Sequence, residues 1–404
     1  MSSSKMFWAA GLLLYAVGQP SYALTLDEAL AAARTQAPDL LASRAAENAA
    51  QALTVSAGAL PDPKLTLGVD NFPLEGAGRY QAGQSMRSIG LLQDFPNAAK
   101  RAAERQLAAT QWQASQAQSR MTALDVQRET ALAWLSLYYL GRKAEVLTEQ
   151  EAENRNSAAL ATARLAAGGT AQSALAAQLE AQQLADARDD LASDTRRAQA
   201  ALARWVGPGA AAQPLSGELP GWLSATSAPA DLSQQPGLRL AASNVDNAQA
   251  GLALAQAGKG VDWGLEVALE RSETGQNQAM VKLSFDLPLF SATRQDPKIA
   301  AAAASLQRPQ AELDARSADV RQQYAAALAQ RDSLNAQLAR LKQSVLPLID
   351  RQIELALASF KSGQDASATV LDARKARLSA RLRGIDLAAR LAATHTQLYF
   401  LAGE

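Results

Sequence analysis

An internal duplication limits the folds that are open to this chain. In each half, a helical stretch with proline at its start is followed by two alternating stretches and an Asp-x-Pro step. A long segment rich in Ala, Gln, Leu and Arg comes next and contains a glycine break. The matched landmarks are Pro38 and Pro236, Asp94 and Asp286, Pro96 and Pro288, and Gly168 and Gly363. Repetition at a nearly constant offset indicates two copies of one structural unit.

The landmarks divide the chain into four parts. Residues 1–23 precede the first repeat, which covers 24–207. Residues 208–237, rich in Pro, Gly, Ser and Ala, form a linker at the equator of the molecule that packs outside the helices; a disordered tether is the alternative. The second repeat covers 238–404.

The N-terminus has the pattern of a secretory signal peptide. Lys5 is followed by a short apolar core over 7–17, and Ser21-Tyr22-Ala23 places small residues at the cleavage positions. We expect cleavage after Ala23. The chain has no cysteine, so disulfides, a cysteine-linked lipid anchor and thiolate metal ligands are excluded.

The charge balance excludes one class of partner. Lys plus Arg and Asp plus Glu are both 39, which gives no basic field for nucleic acid. After the signal, no segment approaches the run of about 18 apolar residues that a membrane helix needs. A soluble protein and a transmembrane β-barrel both remain compatible with this composition.

Period-two alternation predicts four strands, at about 63–72, 86–95, 261–271 and 279–288. The alternation fits barrel strands with one face toward lipid and the other toward a lumen, and it also fits half-buried hairpins on a soluble sheet. Polar, Gly-rich connections within each pair favour the barrel. The predicted lipid-facing side chains are Leu65, Leu67, Val69, Ile89, Leu91, Trp263, Leu265, Val267, Val281, Leu283 and Phe285.

Four strands cannot close a barrel, since small barrels need about eight. An open edge in lipid would leave backbone groups without partners. If these strands cross a membrane, several chains must therefore share one barrel.

The helices are predicted to be unusually long. Thr25 and Glu28 have the spacing of a capping box that begins the first helix. The segment 98–167 contains no proline and would extend on the order of 100 Å. Heptad-like spacings over 124–138 and 334–355 indicate helix-against-helix packing. Pro309 and Pro347 are expected to break or kink the second long helical region.

In this context the chain resembles the TolC-type outer-membrane efflux family, and within it the members that serve heavy-metal and drug pumps of the RND type. The resemblance covers nearly all of the mature chain. It rests on Leu24 to Leu30, on Gln93-Asp94-Phe95-Pro96 with Lys100-Arg101, on Leu287 to Ser291, on Phe360 to Gly363, and on Val370 to Ala373.

The resemblance implies a homotrimer in which a twelve-stranded β-barrel in the outer membrane continues as an α-helical barrel through the periplasm. Pro96 and Pro288 would mark the strand-to-helix junctions. The implied partners are outer-membrane lipid, a periplasmic adaptor of the membrane-fusion type and an inner-membrane RND-type pump. The implied function is a gated, passive duct that exports small substrates. The resemblance favours metal cations and leaves organic drugs open.

The resemblance also assigns residues to the periplasmic aperture. Gly168 and Gly363 match the turning glycines of two helical hairpins, and Asp372 matches an acidic ring at the aperture. Phe360 stands where relatives often have tyrosine, and Asp365 where some have a basic residue. A salt-bridge latch described for some relatives is therefore incomplete here.

The sequence offers no catalytic, cofactor or metal site. His395 is the only histidine, and with no cysteine the usual zinc or copper ligand sets cannot be assembled. No nucleophile is paired with an orienting base, so we expect no enzyme activity. The alternative to a channel is a soluble periplasmic coiled-coil scaffold or adaptor.

Overall fold

The structure is a computed structural model that describes residues 23–72, 75, 85–166, 171–215, 219–223, 231–362 and 367–402. The predicted signal peptide, apart from Ala23, lies outside these residues. So do the predicted turning glycines Gly168 and Gly363, and Asp365.

The same order of elements occurs twice along the chain. The first half contains α1 (Leu26–Gln36), α2 (Pro38–Ser56), β1 (Lys64–Asp70), β2 (Met86–Phe95), α3 (Ala98–Ala166) and α4 (Ala171–Val206). After the short α5 (Pro208–Ala211), the second half contains α6 (Pro236–Ala257), β3 (Asp262–Ser272), β4 (Asn277–Asp286), α7 (Ser291–Arg340), α8 (Leu346–Lys361) and α9 (Ser367–Ala402).

Helix starts follow the predicted local chemistry. Thr25 caps α1 through its side chain, and the Glu28 carboxylate accepts from the Thr25 backbone N–H at 2.9 Å, which confirms the capping box. Pro38 and Pro236 occupy the first positions of α2 and α6, where the missing N–H costs no helical hydrogen bond. The 69 residues of α3 form one helix, about 100 Å long at 1.5 Å per residue.

The two prolines of the second long helical region behave differently. Of the two predicted outcomes at Pro309, a break or a kink, the break does not occur, because α7 continues through Pro309 to Arg340. Pro347 follows a π-helical turn at Leu341–Val345, in which the Leu346 N–H bonds to the Leu341 carbonyl. Pro347 has no N–H to donate to the helical hydrogen bonds, so the proline accounts for the position of the irregular turn.

The π turn divides the predicted heptad stripe. Up to the first residue of the turn, Leu334, Leu338 and Leu341 are buried against Ala380 and Leu387 of α9. From the last residue of the turn onward, Val345, Leu348 and Leu355 are 40%, 69% and 62% exposed. One extra residue in a turn rotates the rest of the helix by about 100° around its axis, so the stripe leaves the core.

The main core surrounds Trp134 in the middle of α3. Its indole is fully buried and donates to the Leu24 carbonyl at 3.1 Å. Leu202 and Val206 of α4 and Phe400 of α9 belong to the same cluster. Both chain halves therefore share one core at this level.

The described parts of 208–237 pack against the helices. Leu24 bridges to Leu215, Leu223 is buried in the main core, and Trp222 stacks on Tyr399 with ring centroids 4.7 Å apart. These described residues of the segment therefore contact both repeats.

The strands join into one antiparallel sheet of order β1-β2-β3-β4. The central pairing of β2 with β3 joins the two repeats. Among the described residues, none of the helices contains the sustained apolar run that a membrane-spanning helix requires.

Candidate channel surfaces and helical junction

The register places the predicted apolar side chains in continuous rows across one face of the sheet. One row is Leu65, Leu91, Val267 and Val281; the next is Leu67, Ile89, Leu269 and Ala279. In the following row Leu265 lies between Leu283 and the polar Gln93, and Phe95, Trp263 and Phe285 form the row nearest the helices. Among the predicted lipid-facing residues, exposure reaches 73% at Leu67, and only Leu265 is half-buried. The apolar face therefore has no partner within the described protomer.

The opposite face of the sheet carries charged and hydroxyl side chains, and it includes a glycine. Lys64 pairs with Asp94 at 2.8 Å, Lys282 lies 3.8 Å from Glu266, and Ser88 donates to Asp70 at 2.8 Å. Gly90 lies between Thr66 and Ala268 in the register, and a Cβ there would come within 2.7 Å of the Thr66 hydroxyl. A larger residue would disrupt the pairing on this face.

A polar cluster fixes the junction between sheet and helices. Pro96 separates β2 from α3, and Asn97 caps α3 by accepting from the Lys100 backbone N–H at 2.8 Å. Asp262, the first residue of β3, accepts from the Asn97 backbone and side chain, both at 2.8 Å. The Lys100 ammonium lies 2.9 Å from the second Asp262 oxygen, and this hydrogen bond raises the pKa of Lys100. The cluster ties the first repeat to the second.

Close backbone packing completes the junction. Gly58, just after α2, has φ of 65°, and a Cβ there would lie 2.4 Å from the Arg101 carbonyl. The Arg101 guanidinium donates to the Gly58 carbonyl at 2.9 Å. Pro288 lies between β4 and α7 in the equivalent place of the second repeat. Sequence reasoning singled out Pro96, Pro288 and Lys100-Arg101 here and missed Asn97 and Asp262, whose pairing spans the two halves.

Charged pairs connect the two long hairpins. Along α3 and α9, Lys143 pairs with Asp386 at 2.6 Å and Glu149 with Arg381 at 2.7 Å. Further toward the tips, Arg377 lies 3.7 Å from Glu153, and the Arg374 guanidinium contacts the Ser157 hydroxyl. We call these four contacts the α3–α9 ladder. The spacing of Arg374, Arg377 and Arg381 on one face of α9 was the signal that could have revealed it.

A buried polar contact lies inside the first hairpin. Glu180 of α4 is 4% exposed and accepts from the Gln150 side chain of α3 at 3.0 Å. Asn154 donates to the Ala177 carbonyl at 3.1 Å. These bonds link α3 and α4 away from the main core.

The predicted aperture residues are only partly described. Asp372 is an exposed residue of α9, and Phe360 belongs to α8. Gly168, Gly363 and Asp365 cannot be placed beside them. His395 is buried on α9, and burial, aided by the charge of Arg331, lowers its pKa. Among the described residues, no group of three or more His, Asp or Glu side chains could hold a metal ion.

Long paired helices, a shared midsection core and a small sheet with an exposed apolar face define the fold of an outer-membrane channel protomer. Residues 230–404 match the family described as outer membrane efflux protein, which confirms the resemblance inferred from the sequence. No curated protein matches the chain significantly.

Solved structures show the same fold over nearly the whole chain. The outer membrane protein VceC of Vibrio cholerae is 20% identical, with a TM-score of 0.79 over 94% of this chain and 96% of that one. The CmeC outer membrane channel of Campylobacter jejuni is 13% identical, with a TM-score of 0.79 over 94% and 85%. The open state of the MtrE outer membrane channel of Neisseria gonorrhoeae is 17% identical, with a TM-score of 0.77 over 94% and 88%.

Proposed function

We propose that the chain is the outer-membrane channel of a tripartite efflux system, a passive duct that exports small substrates. The observation that carries the proposal is the four-stranded sheet with one exposed, predominantly apolar face and one polar face. A protein in water would leave this apolar surface uncovered, whereas lipid covers it without cost. A soluble scaffold or adaptor has no use for such a face.

Closure of the sheet requires further copies of the chain. β1 and β4 are its outer strands, and an uncovered strand edge is not tolerated in lipid. Pairing β4 of one copy with β1 of the next removes both edges. Three copies, the number that the family resemblance implies, give twelve strands.

The helices support the same assembly. Val345, Leu348 and Leu355 form an exposed stripe on one hairpin, and Leu175 and Leu179 are 64% and 58% exposed on the other. Stripes with this spacing are typical of helix-against-helix packing. Neighbouring copies would bury them in a continuous helical wall below the sheet.

The polar face would line the duct, and the tips around Asp372 would form the periplasmic aperture that docks an adaptor joined to an RND-type pump. The duct carries out no chemistry, and the pump selects the cargo. Metal cations are the substrate class that the sequence resemblance favours.

The test is to purify the chain from membranes in detergent, measure its oligomeric mass and reconstitute it in planar bilayers. We expect trimers, localised to the outer-membrane fraction, that conduct ions in discrete steps. A monomer that stays in aqueous solution and gives no conductance contradicts the proposal and favours the soluble scaffold.

A further inference from the structure

The apolar face ends in a row that breaks the pattern. Following the register away from the helices, the row after Leu67, Ile89 and Leu269 contains Arg87 of β2 directly opposite Arg271 of β3. Val69 and Asn277 complete this row. Because alternate residues share a face, both guanidinium groups lie on the apolar side of the sheet.

No side chain that the structure describes compensates the two positive charges. Both arginines are exposed, and neither forms an ion pair or a side-chain hydrogen bond in the part of the chain that the structure describes. Asp70 lies on the polar face and accepts from Ser88. Like charges directly opposite on neighbouring strands destabilise a sheet. An anion bound between the two guanidinium groups would remove this repulsion.

If the apolar face lies in a bilayer, as the proposed function requires, the row of Arg87 and Arg271 lies at the level of the lipid headgroups. The strand rises about 27 Å between Trp263 and Arg271. A tilt of about 40° reduces this to about 20 Å across the membrane. The aromatic row at one end and the arginine row at the other thus bracket a lipid-facing band of about the usual height.

We propose that Arg87 and Arg271 bind the headgroup phosphate of a membrane lipid at the rim of the barrel remote from the helices. Each guanidinium offers a planar fork of donors that matches two phosphate oxygens, and two adjacent forks suit a phosphate monoester with its larger charge. The Asn277 side chain, next in the row, offers a further donor. One such site occurs in each copy of the chain.

The experiment uses the full mature chain in nanodiscs of phosphatidylcholine with a minority of phosphatidic acid, which carries a phosphate monoester. Native mass spectrometry counts the lipids retained by the released oligomer. We expect preferential retention of phosphatidic acid, reduced about tenfold toward the phosphatidylcholine level in the double variant Arg87→Gln and Arg271→Gln.

The matched control is Lys64→Gln with Lys282→Gln, which removes the same charge from the polar face of the same sheet. Retention in the control should equal that of the unaltered protein. Equal loss in both double variants, or no loss in either, overturns the inference. Displacement of phosphatidic acid by inorganic phosphate at equal concentration overturns it in favour of a free-anion site.

Planar-bilayer conductance separates the lipid site from the proposed function. A protein that inserts and conducts but shows no preference for phosphatidic acid contradicts only the lipid site. Failure to insert contradicts the channel and the lipid site together.

Discussion

The Phe95 and Trp263 side chains, one from each repeat, stack nearly parallel with ring centroids 4.1 Å apart. They form the end of the apolar face nearest the helices, beside Pro96 and the Asn97–Asp262 contacts. The two halves are therefore joined at one level by ring stacking on one face and by charge and hydrogen bonding at the junction.

Removal of the Asp262 carboxylate should loosen this junction. In Asp262→Ala, the Asn97 backbone and side chain and the Lys100 ammonium all lose their shared acceptor. We expect a loss of roughly 1–3 kcal/mol in the free energy of unfolding and faster hydrogen exchange in the first turns of α3. Asp286→Ala is the control, since Asp286 lies directly opposite in the register and makes no ion pair among the described residues. Equal effects of the two changes would contradict the role assigned to Asp262.

An arginine in the middle of the apolar face should block membrane assembly. Val267 lies in the row with Leu91 and Val281, and Val267→Arg is expected to cost about 2–4 kcal/mol in lipid. Trimer yield from the outer-membrane fraction is the measurement. Gln278→Arg places the same residue on the polar face of β4 and should leave the yield nearly unchanged. If Val267→Arg inserts as well as Gln278→Arg, this face does not contact lipid.

Loss of the Gln150 donor should destabilise the first hairpin. In Gln150→Leu, the buried Glu180 carboxylate loses its hydrogen-bond partner, at a cost of about 1–3 kcal/mol. Thermal unfolding followed by circular dichroism should show a lower midpoint. Gln182→Leu makes the same change at an exposed site on α4 and should have little effect. Matching midpoints for the two variants would show that the Gln150–Glu180 contact stabilises nothing.

The α3–α9 ladder should respond to charge reversal. Arg381→Glu places two carboxylates together at Glu149, and adding Glu149→Arg restores an opposite-charge pair. A double-mutant cycle should give a coupling energy of about 0.5 kcal/mol, smaller at high salt because the pair is partly exposed. A coupling energy of zero at low salt would show that this rung makes no contribution.

The protein should lose stability in acid through His395. Its pKa is below the ordinary value of 6.5 in the folded state. As the pH falls through 6.5, His395 therefore takes up a proton in the unfolded chain before it does so in the folded chain. Stability is unaffected by this group at higher pH and declines as the pH falls toward the folded-state pKa. Denaturation of the protein and of His395→Gln at a pH above and a pH below 6.5 should show a smaller acid loss in the variant; the same loss in both contradicts this prediction.

Local chemistry made several features readable without a structure. The Thr25–Glu28 capping box involves residues three positions apart, and the strand alternation has a period of two, so neither depends on distant contacts. The proline-free run after Pro96 likewise predicted one long helix. The break that local propensity allowed at Pro309 does not occur, because Pro309 is a buried residue inside a 50-residue helix, and packing can offset the cost of one missing hydrogen bond.

The duplicated order of helices and strands, the two-faced character of each strand and the helix starts were all encoded in neighbours along the chain, so the residues alone were enough to predict them. Tertiary packing placed β2 beside β3 and Arg87 opposite Arg271. It also brought Asn97 into contact with Asp262 and formed the α3–α9 ladder. These contacts join residues that are far apart in the chain. Their register depends on how entire helices and strands pack, and no local pattern of residues specifies that.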